Sequence, residues 1–240
     1  MQTALGEFVG MIVLILFGDG IVAGVLLERS KAKDAGWVAI TTGWAIAVLL
    51  GILVAQALGA PGELNPAATL ANVIVGARSV SDAGLHILAQ FLGAIVGATL
   101  VWLLYLAHWR ETKDPVVKLA VFCNAPAIRA TVPNLISEVI ATGALVFVAN
   151  AAVHGATNGV VGATALGPTI VAALVWGVGL SLGGPTGYAV NPARDLGPRI
   201  AHALLPIAGK GSSDWSYAWI PVVGPLAGGA LAAMLWGLAR

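Results

Sequence analysis

The chain has 240 residues, of which 58% are hydrophobic and 10% are charged, and its mean hydropathy is +0.91. Soluble proteins carry about 25% charged residues, so this composition excludes an ordinary water-soluble domain. The net charge of +1 and the lack of a basic cluster give no indication of nucleic-acid binding. The single cysteine, Cys123, excludes a disulfide within the chain.

Long apolar runs follow one another along the chain, each near the roughly 20 residues that a helix needs to cross a bilayer. They cover residues 6–27, 36–58, 83–107, 134–153, 166–182 and 217–238, and the fifth is short. The first nine residues have neither a basic region nor a small-residue cleavage site, so we expect the first run to be a span and not a cleaved signal peptide. The pattern predicts one multi-pass domain over residues 1–240, in the cell membrane.

The two halves of the chain resemble each other. The first run of each half contains a lone glutamate, Glu7 or Glu138, and an Asn-Pro-Ala tripeptide follows at a similar distance. Three spans per half is an odd number, so the second half must enter the membrane from the opposite side. This predicts an inverted repeat of residues 1–107 and 134–240, joined by a loop over residues 108–133, with the functional site where the halves meet.

The Asn-Pro-Ala tripeptides lie in interrupted segments of intermediate hydrophobicity, residues 59–79 and 183–205. Asn favours the N-cap of a helix and Pro favours its first position, so each segment predicts a short helix that cannot span the bilayer. One tripeptide alone indicates little beyond a capped helix start. Two at matching points predict half-helices that meet at mid-membrane, where irregular backbone needs a wet cavity or surrounding protein. The tripeptides are Asn65, Pro66 and Ala67, and Asn191, Pro192 and Ala193.

The stretch from Gly184 to Arg199, centred on Asn191, resembles the major intrinsic protein family of aquaporins and glycerol facilitators, and the resemblance covers essentially the whole chain. Asp195 is typical of the glycerol branch. The resemblance implies an all-α membrane protein with six transmembrane helices and two re-entrant half-helices, the aquaporin fold. It also implies a homotetramer of passive channels for glycerol, similar small neutral solutes and water. Ions and protons would be excluded, and the protein would have no enzymatic activity, cofactor or metal.

The resemblance also assigns the pore residues. The selectivity filter would comprise Trp44, Gly179, Tyr188 and Arg194, with the aromatic rings facing the carbons of glycerol and the guanidinium facing its hydroxyl groups. Gly179 would leave width that histidine fills in water-selective members, and Tyr188 replaces the usual phenylalanine. The amides of Asn65 and Asn191 would donate to the passing oxygen. The pore-lining carbonyls would be those of Gly62, Glu63, Gly187, Tyr188 and Ala189.

Several acids lie inside apolar segments, where an ionisable residue is a functional candidate by default. The resemblance implies that Glu7 and Glu138 accept hydrogen bonds from the backbone of the broken segments, and the alternative is a proton relay. Asp195 is assigned to the same bracing of the loops. Asp19 has no firm role, although it is placed to contact a loop or a polar residue of a neighbouring helix.

Glu63 departs from the family pattern, which has histidine two residues before the first tripeptide. One hypothesis is a carboxylate at the pore mouth that disfavours anions or makes permeation pH-dependent. The alternative is a solvated or salt-bridged glutamate with no such role.

The orientation in the membrane is ambiguous. The positive-inside rule would place the loops between spans 1–2, 3–4 and 5–6 in the cytoplasm. These loops carry Arg29, Lys31, Lys33, Arg110, Lys113, Lys118, Arg129, Arg199 and Lys210, against Arg78 and Arg240 on the other side. The family has its termini and first half-helix on the cytoplasmic side, and we follow that arrangement because the whole-chain resemblance is more specific.

Other functions remain to be distinguished by experiment. A secondary transporter also uses inverted repeats and broken helices, but it would show saturation and usually an ion-coupling site. A channel of the same fold for small acids such as lactic acid, or mainly for water, is the closer alternative. An intramembrane enzyme would need a nucleophile–base pair or metal ligands, and the histidines have no metal-like spacing.

Overall fold

The computed structural model describes residues 2–157 and 166–239, apart from the side chains of residues 153–157. Within these ranges the chain forms helices and loops without a strand. The helices are α1 (Gln2–Leu26), α2 (Gly36–Ala57), α3 (Pro66–Ile74), α4 (Val80–Leu104), α5 (His108–Glu111), α6 (Pro115–Phe122), α7 (Thr131–Thr157), α8 (Gly167–Leu182), α9 (Pro192–Leu204) and α10 (Ile220–Ala239).

Among the described residues, five helices are long and apolar enough to cross a membrane. They are α1, α2, α4, α10 and the part of α7 from Thr131 to Ala152. The sixth apolar helix, α8, has 16 residues and is shorter, as the fifth run of the sequence predicted. The predicted all-α membrane fold is thus confirmed.

The two half-helices begin where their sequence signature places them. Asn65 and Asn191 occupy the N-caps of α3 and α9, with extended backbone at φ −157° and −147°, and proline follows at the first helical position in both. The side-chain oxygen of Asn65 accepts from the backbone N–H of Ala67 at 2.9 Å. Each asparagine therefore satisfies backbone donors that a helix start leaves open.

The two halves interlock through their half-helices. In the first half α1 packs against α2 and α4, and in the second half α7 packs against α8 and α10. The half-helices pack across the divide, α3 against α10 and α9 against α4. Each half-helix is therefore held by the last span of the opposite repeat, and this exchange brings their N-termini together.

Small residues permit the close approach of the spans. A Cβ atom on Gly97 of α4 would lie 2.8 Å from the carbonyl oxygen of Ile12 in α1. In the second half, a Cβ on Gly224 of α10 would lie 2.6 Å from the Cβ of Glu138 in α7. Membrane helices commonly use such positions for packing, and here they serve contacts within the chain.

The segment between the repeats, predicted as a loop over residues 108–133, contains two short helices, and α7 begins within it at Thr131. The helix α6 begins with Pro115 behind the N-cap Asp114, whose carboxylate accepts from the N–H of Val116 at 2.8 Å. This is the same local signature that marks the half-helices, and the sequence prediction overlooked it here. Lys118 of α6 is buried, and its ammonium donates to the carbonyl of Ala208.

Candidate pore

A cavity of about 440 Å³ runs along the junction of the two repeats. It is bounded by both half-helix starts, by the segments that precede them and by side chains of α1, α2, α7 and α8. Its lining includes Leu14, Trp44, Gly62, Glu63, Leu64, Asn65, Asn72, Leu145, Asn150, Tyr188, Ala189, Val190, Asn191 and Arg194. Both asparagines and three of the four predicted filter residues thus face one cavity.

The asparagines at the half-helix starts contact each other's segments. The side-chain amide of Asn65 donates to the carbonyl of Val190 at 2.9 Å, and that of Asn191 donates to the carbonyl of Leu64 at 2.7 Å. Because a primary amide has two N–H groups, each asparagine keeps one N–H beyond this contact. Two donors are therefore available to an oxygen atom that passes between the half-helices.

The backbone before each asparagine takes the left-handed conformation. Leu64 has φ +48° and Val190 has φ +43°, values that non-glycine residues rarely adopt. Each such residue costs roughly 1–3 kcal/mol and persists only where its surroundings enforce it. The conformation turns successive N–H and C=O groups to opposite sides, so the segments can bond to protein on one side and line the cavity on the other.

Glu7 holds the first of these segments. Its carboxylate accepts from the backbone N–H groups of Gly62, Glu63 and Leu64 at 2.8, 2.9 and 2.7 Å. Gln90 of α4 donates to the same carboxylate at 2.8 Å. Four charge-assisted hydrogen bonds offset the left-handed strain at this site.

Glu138 occupies the equivalent position in the second half. It accepts from the N–H groups of Ala189 and Val190 at 2.9 and 3.0 Å, and from the hydroxyl of Thr186 at 2.6 Å. Like Glu7, it is fully buried. Both acids therefore accept hydrogen bonds from the backbone of the segments before the asparagines, and neither belongs to the described cavity lining.

Arg194 and Trp44, two residues of the predicted selectivity filter, contact each other in the cavity wall. The guanidinium carbon of Arg194 lies 4.0 Å from the centroid of the Trp44 ring, a cation–π geometry. The indole is buried, and a Cβ on Gly18 of α1 would overlap it. The contact with α1 therefore fixes the position of the Trp44 ring. The ring, stacked on Arg194, fixes the plane of the guanidinium.

The surroundings of Gly179 differ from the open width that the resemblance implied. A Cβ atom at this position would lie 2.7 Å from Cζ of Tyr188 and 3.0 Å from Cγ2 of Thr41. The space beside Gly179 is thus filled by the Tyr188 ring, which also makes an edge contact with Trp37 at 5.8 Å. Gly179 itself is not part of the described cavity lining, and it affects the cavity through the ring that it admits.

The predicted carbonyls divide into two groups. Gly62, Glu63, Tyr188 and Ala189 contribute to the cavity lining, whereas Gly187 does not. The carbonyl of Gly187 accepts instead from the amide of Asn124, at 2.6 Å. The Gly187 carbonyl therefore helps to support the segment that precedes Asn191.

Asp195 forms a buried ion pair with Arg199 one turn later in α9, at 2.9 Å, and both side chains are fully buried. Asp195 also accepts from the N–H of Asn124 at 2.7 Å. Arg199 donates to the carbonyls of Asn124 and Ser213 at 2.9 and 2.8 Å. The pair thus ties α9 to two loops.

The sequence interpretation counted Arg199 among the loop cations. The structure corrects this, because Arg199 lies inside α9 and is paired. Lys118 from the same count is also buried, so neither cation contributes a solvent-exposed charge to the loops. The positive-inside argument is weaker by these two residues.

Glu63 is engaged by side chains that the sequence did not indicate. Its carboxylate, with 5% of the side chain exposed, accepts from Arg78 at 2.7 Å. It accepts also from Asn72 at 2.6 Å and from Thr69 at 2.8 Å. This geometry favours the salt-bridged alternative over a carboxylate that senses pH at the pore mouth.

We therefore expect Glu63→Gln to leave the pH profile of solute flux superimposable on that of the unchanged protein. It should instead weaken the support of α3 and lower the free energy of unfolding by about 2 kcal/mol, the scale of a hydrogen bond to a charged group. Flux in liposomes against pH and thermal unfolding in detergent measure the two effects. A flattened pH profile with unchanged stability would restore the pH-sensing hypothesis.

Glu7, Glu63 and His86 bring potential metal-ligand atoms within 4.8 Å of one another. The Glu7 oxygens already accept four hydrogen bonds, and the Glu63 oxygens accept from cationic and amide groups. A metal ion would have to displace these donors beside the Arg78 guanidinium. The cluster therefore fits a hydrogen-bond network better than a metal site.

Comparison with known proteins shows which family the chain resembles. The family model described as major intrinsic protein matches residues 1–236. The chain is 49% identical to the probable glycerol uptake facilitator protein of Thermotoga maritima, over 98% of each chain. It is 50% identical to glycerol uptake facilitator protein 3 of Lactiplantibacillus plantarum, over 98% of this chain and 95% of that one.

The fold has a counterpart among solved structures. The X-ray structure of the aquaglyceroporin from Plasmodium falciparum superposes with a TM-score of 0.85 and 27% identity, over 98% of this chain and 94% of that chain. The family match spans nearly the entire sequence. The chain belongs to the major intrinsic protein family.

Proposed function

We propose that the protein is a passive membrane channel that conducts glycerol, related small uncharged solutes and water, and is not an enzyme. The observation that carries this proposal is the wall formed by Trp44, Tyr188 and Arg194 around one cavity. Glycerol has carbons along one side and hydroxyl groups along the other. The rings offer an apolar surface, whereas the guanidinium offers hydrogen-bond donors that match this division. The names of the glycerol uptake facilitators that the chain resembles support the same substrate.

Ions would be rejected in the same cavity. Each half-helix N-terminus carries about +0.5 charge, and two such ends roughly 5 Å from a cation repel it by about 3 kcal/mol at an effective dielectric near 20. Removing the ion's hydration shell costs several kcal/mol more. Arg194 adds to the bias against cations and protons, as is known for channels of this type. A neutral polyol exchanges hydrogen bonds to water for hydrogen bonds to protein and avoids both costs.

The active form in this proposal is a homotetramer in the lipid bilayer, with one pore in each protomer. The termini lie on the cytoplasmic side, as the family arrangement implies. Crosslinking in native membranes and labelling of introduced cysteines at the two loop faces would establish them.

Glycerol flux through reconstituted protein is expected to rise linearly with concentration and to be insensitive to sodium and proton gradients. This holds because a channel with a preformed cavity needs no conformational cycle for each solute. Stopped-flow light scattering of proteoliposomes, with empty liposomes as the control, measures it. Uphill glycerol movement driven by an ion gradient would contradict the channel and favour a secondary transporter.

The same assay separates the nearer alternatives. Lactic acid, urea and water are each presented to identical proteoliposomes, with the flux of lactic acid followed below and above its own pKa. A flux of neutral lactic acid far above that of glycerol would reassign the channel to small acids. Water flux without glycerol flux would make it a water channel.

A further inference from the structure

A second pocket, of about 460 Å³, opens at the surface where α4 ends. It lies between the last turn of α4, the short helix α5 and the loop that follows α9. Its lining includes Trp102, Leu106, Ala107, Arg110, Pro206 and Ala208. None of these residues lines the pore cavity, so the proposed channel function leaves this pocket without a role.

The walls of the pocket are held by buried contacts. Trp109 is buried, and its indole N–H donates to the carbonyl of Trp102 at 2.9 Å. The same indole stacks on Phe122 of α6, with the ring centroids 5.6 Å apart. On the opposite wall, the buried ammonium of Lys118 donates to the carbonyl of Ala208. The shape of the pocket is therefore set by the fold before any ligand binds.

Positive charge without an acidic partner borders the pocket. Arg110 is exposed, and it forms no ion pair among the residues that the structure describes. Lys113 is likewise exposed and unpaired, and its ammonium donates to the carbonyl of Arg110 at 2.9 Å. The acids beside them are engaged, because Glu111 pairs with Arg29 and Asp114 caps α6. Arg110 and Lys113 are two of the loop cations that set the positive-inside count against the family arrangement.

An apolar strip leads from the membrane-spanning part of α4 to this charge. Leu100, Leu103 and Leu104 lie on α4, Leu106 lies in the pocket, and each is between 37% and 68% exposed. Exposed leucines of a membrane span face lipid chains, which are equally apolar. Trp102 is half-buried in the last turn of α4, and tryptophan is enriched at the membrane–water interface. The pocket therefore lies where a lipid chain gives way to its headgroup.

We propose that this pocket binds an anionic phospholipid, with the phosphate at Arg110 and Lys113 and an acyl chain along the exposed leucines of α4. Basic pockets beside transmembrane helices suit lipid headgroups, and a guanidinium matches the geometry of phosphate oxygens. A zwitterionic phospholipid fits less well, because its own ammonium group would meet the same two cations. Phosphatidylglycerol has the required chemistry, since its headgroup carries a phosphate and no cation.

The test measures lipid binding and not transport, so its outcome is independent of the proposed permeant. Protein freed of lipid in detergent is titrated with phosphatidylglycerol or phosphatidylcholine, both with palmitoyl and oleoyl chains, and native mass spectrometry counts the bound lipids. A third titration adds inorganic phosphate as a competitor. Arg110→Gln is compared with Lys31→Gln, which removes an exposed cation in the loop after α1 that does not line the pocket.

The unchanged protein is expected to bind phosphatidylglycerol more tightly than phosphatidylcholine. Arg110→Gln should weaken the binding of phosphatidylglycerol about fivefold, and Arg110→Gln combined with Lys113→Gln about thirtyfold, the scale of the attraction between basic residues and anionic lipid. Lys31→Gln should bind as the unchanged protein does. Equal affinity for the two lipids, or unchanged binding in Arg110→Gln, would overturn the proposal. Displacement of the lipid by equimolar inorganic phosphate would also overturn it, because the site would then recognise phosphate alone.

A further variant distinguishes a pocket from a charged surface. Ala107→Trp fills the pocket from an exposed position and keeps both cations, so it should weaken the binding of phosphatidylglycerol as Arg110→Gln does. Unchanged binding would mean that the charges attract lipid without a pocket, which contradicts the site. The same spectra report the oligomeric state. Dissociation of the oligomer in Arg110→Gln with unchanged lipid binding would assign this face to a contact between copies of the chain and overturn the proposal.

Discussion

Asp195→Asn is expected to lower the free energy of unfolding by about 3–5 kcal/mol, because it leaves Arg199 as a buried charge without its counter-ion. Asparagine has nearly the shape of aspartate and can still accept from the N–H of Asn124, so the loss reports the charge. Arg199 would keep its bonds to the carbonyls of Asn124 and Ser213, but these cannot neutralise it. The expected result is early unfolding of α9 and the loops that it anchors.

The matched control is Arg129→Gln, which removes an ion pair of similar geometry from the surface. Arg129 pairs with Asp214, and 57% of its side chain is exposed. Exposed pairs contribute at most about 1 kcal/mol, so this variant should unfold close to the unchanged protein. Thermal unfolding in one detergent compares the three proteins. Equal stability of both variants would mean that the buried pair does not anchor α9.

The elements that the sequence predicted well carry local signals. The spans follow from apolar length, and the half-helices follow from Asn and Pro at consecutive positions, which determine a cap and a first turn without any distant contact. The short helix α6 has the same signal in Asp114 and Pro115, so it was equally predictable. The inverted repeat follows from the matching order of these signals in each half.

The partners of the buried charges were not predictable in this way. Glu7 meets Gln90 of α4, and Asp195 meets Asn124 in the loop after α6. These contacts join residues far apart in the chain, and single-sequence periodicity carries no information on them. Arg199 illustrates the consequence, since a cation near a predicted loop was counted as exposed although it is buried in α9.

The filter illustrates a second limit. The resemblance assigned Gly179 to the filter and explained the small residue as open width. The structure gives another physical reason, because the aromatic ring of Tyr188 occupies the volume that a side chain at 179 would need. Position 179 thus affects the pore indirectly, and this changes how a substitution there should act.

Gly179→His is expected to reduce glycerol flux by about tenfold or more while reducing water flux less. A Cβ at 179 would lie 2.7 Å from Cζ and 2.9 Å from the hydroxyl of Tyr188, so the imidazole must displace the ring. The displaced ring would move toward Trp44 and Arg194 and narrow the cavity. Loss of a close fit of this kind typically costs 1–3 kcal/mol, or roughly 10–200-fold, and the smaller water molecule is less affected.

Gly177→His is the matched control, because it places the same side chain on the same helix two residues earlier, where a Cβ meets nothing within 4 Å. Its glycerol and water fluxes should equal those of the unchanged protein. The ratio of glycerol to water permeability in proteoliposomes compares the three proteins at equal protein density. If both fluxes fall equally in Gly179→His, the substitution has disturbed the fold and not the filter. If glycerol flux is unaffected, the contact between Gly179 and Tyr188 does not control the width of the pore.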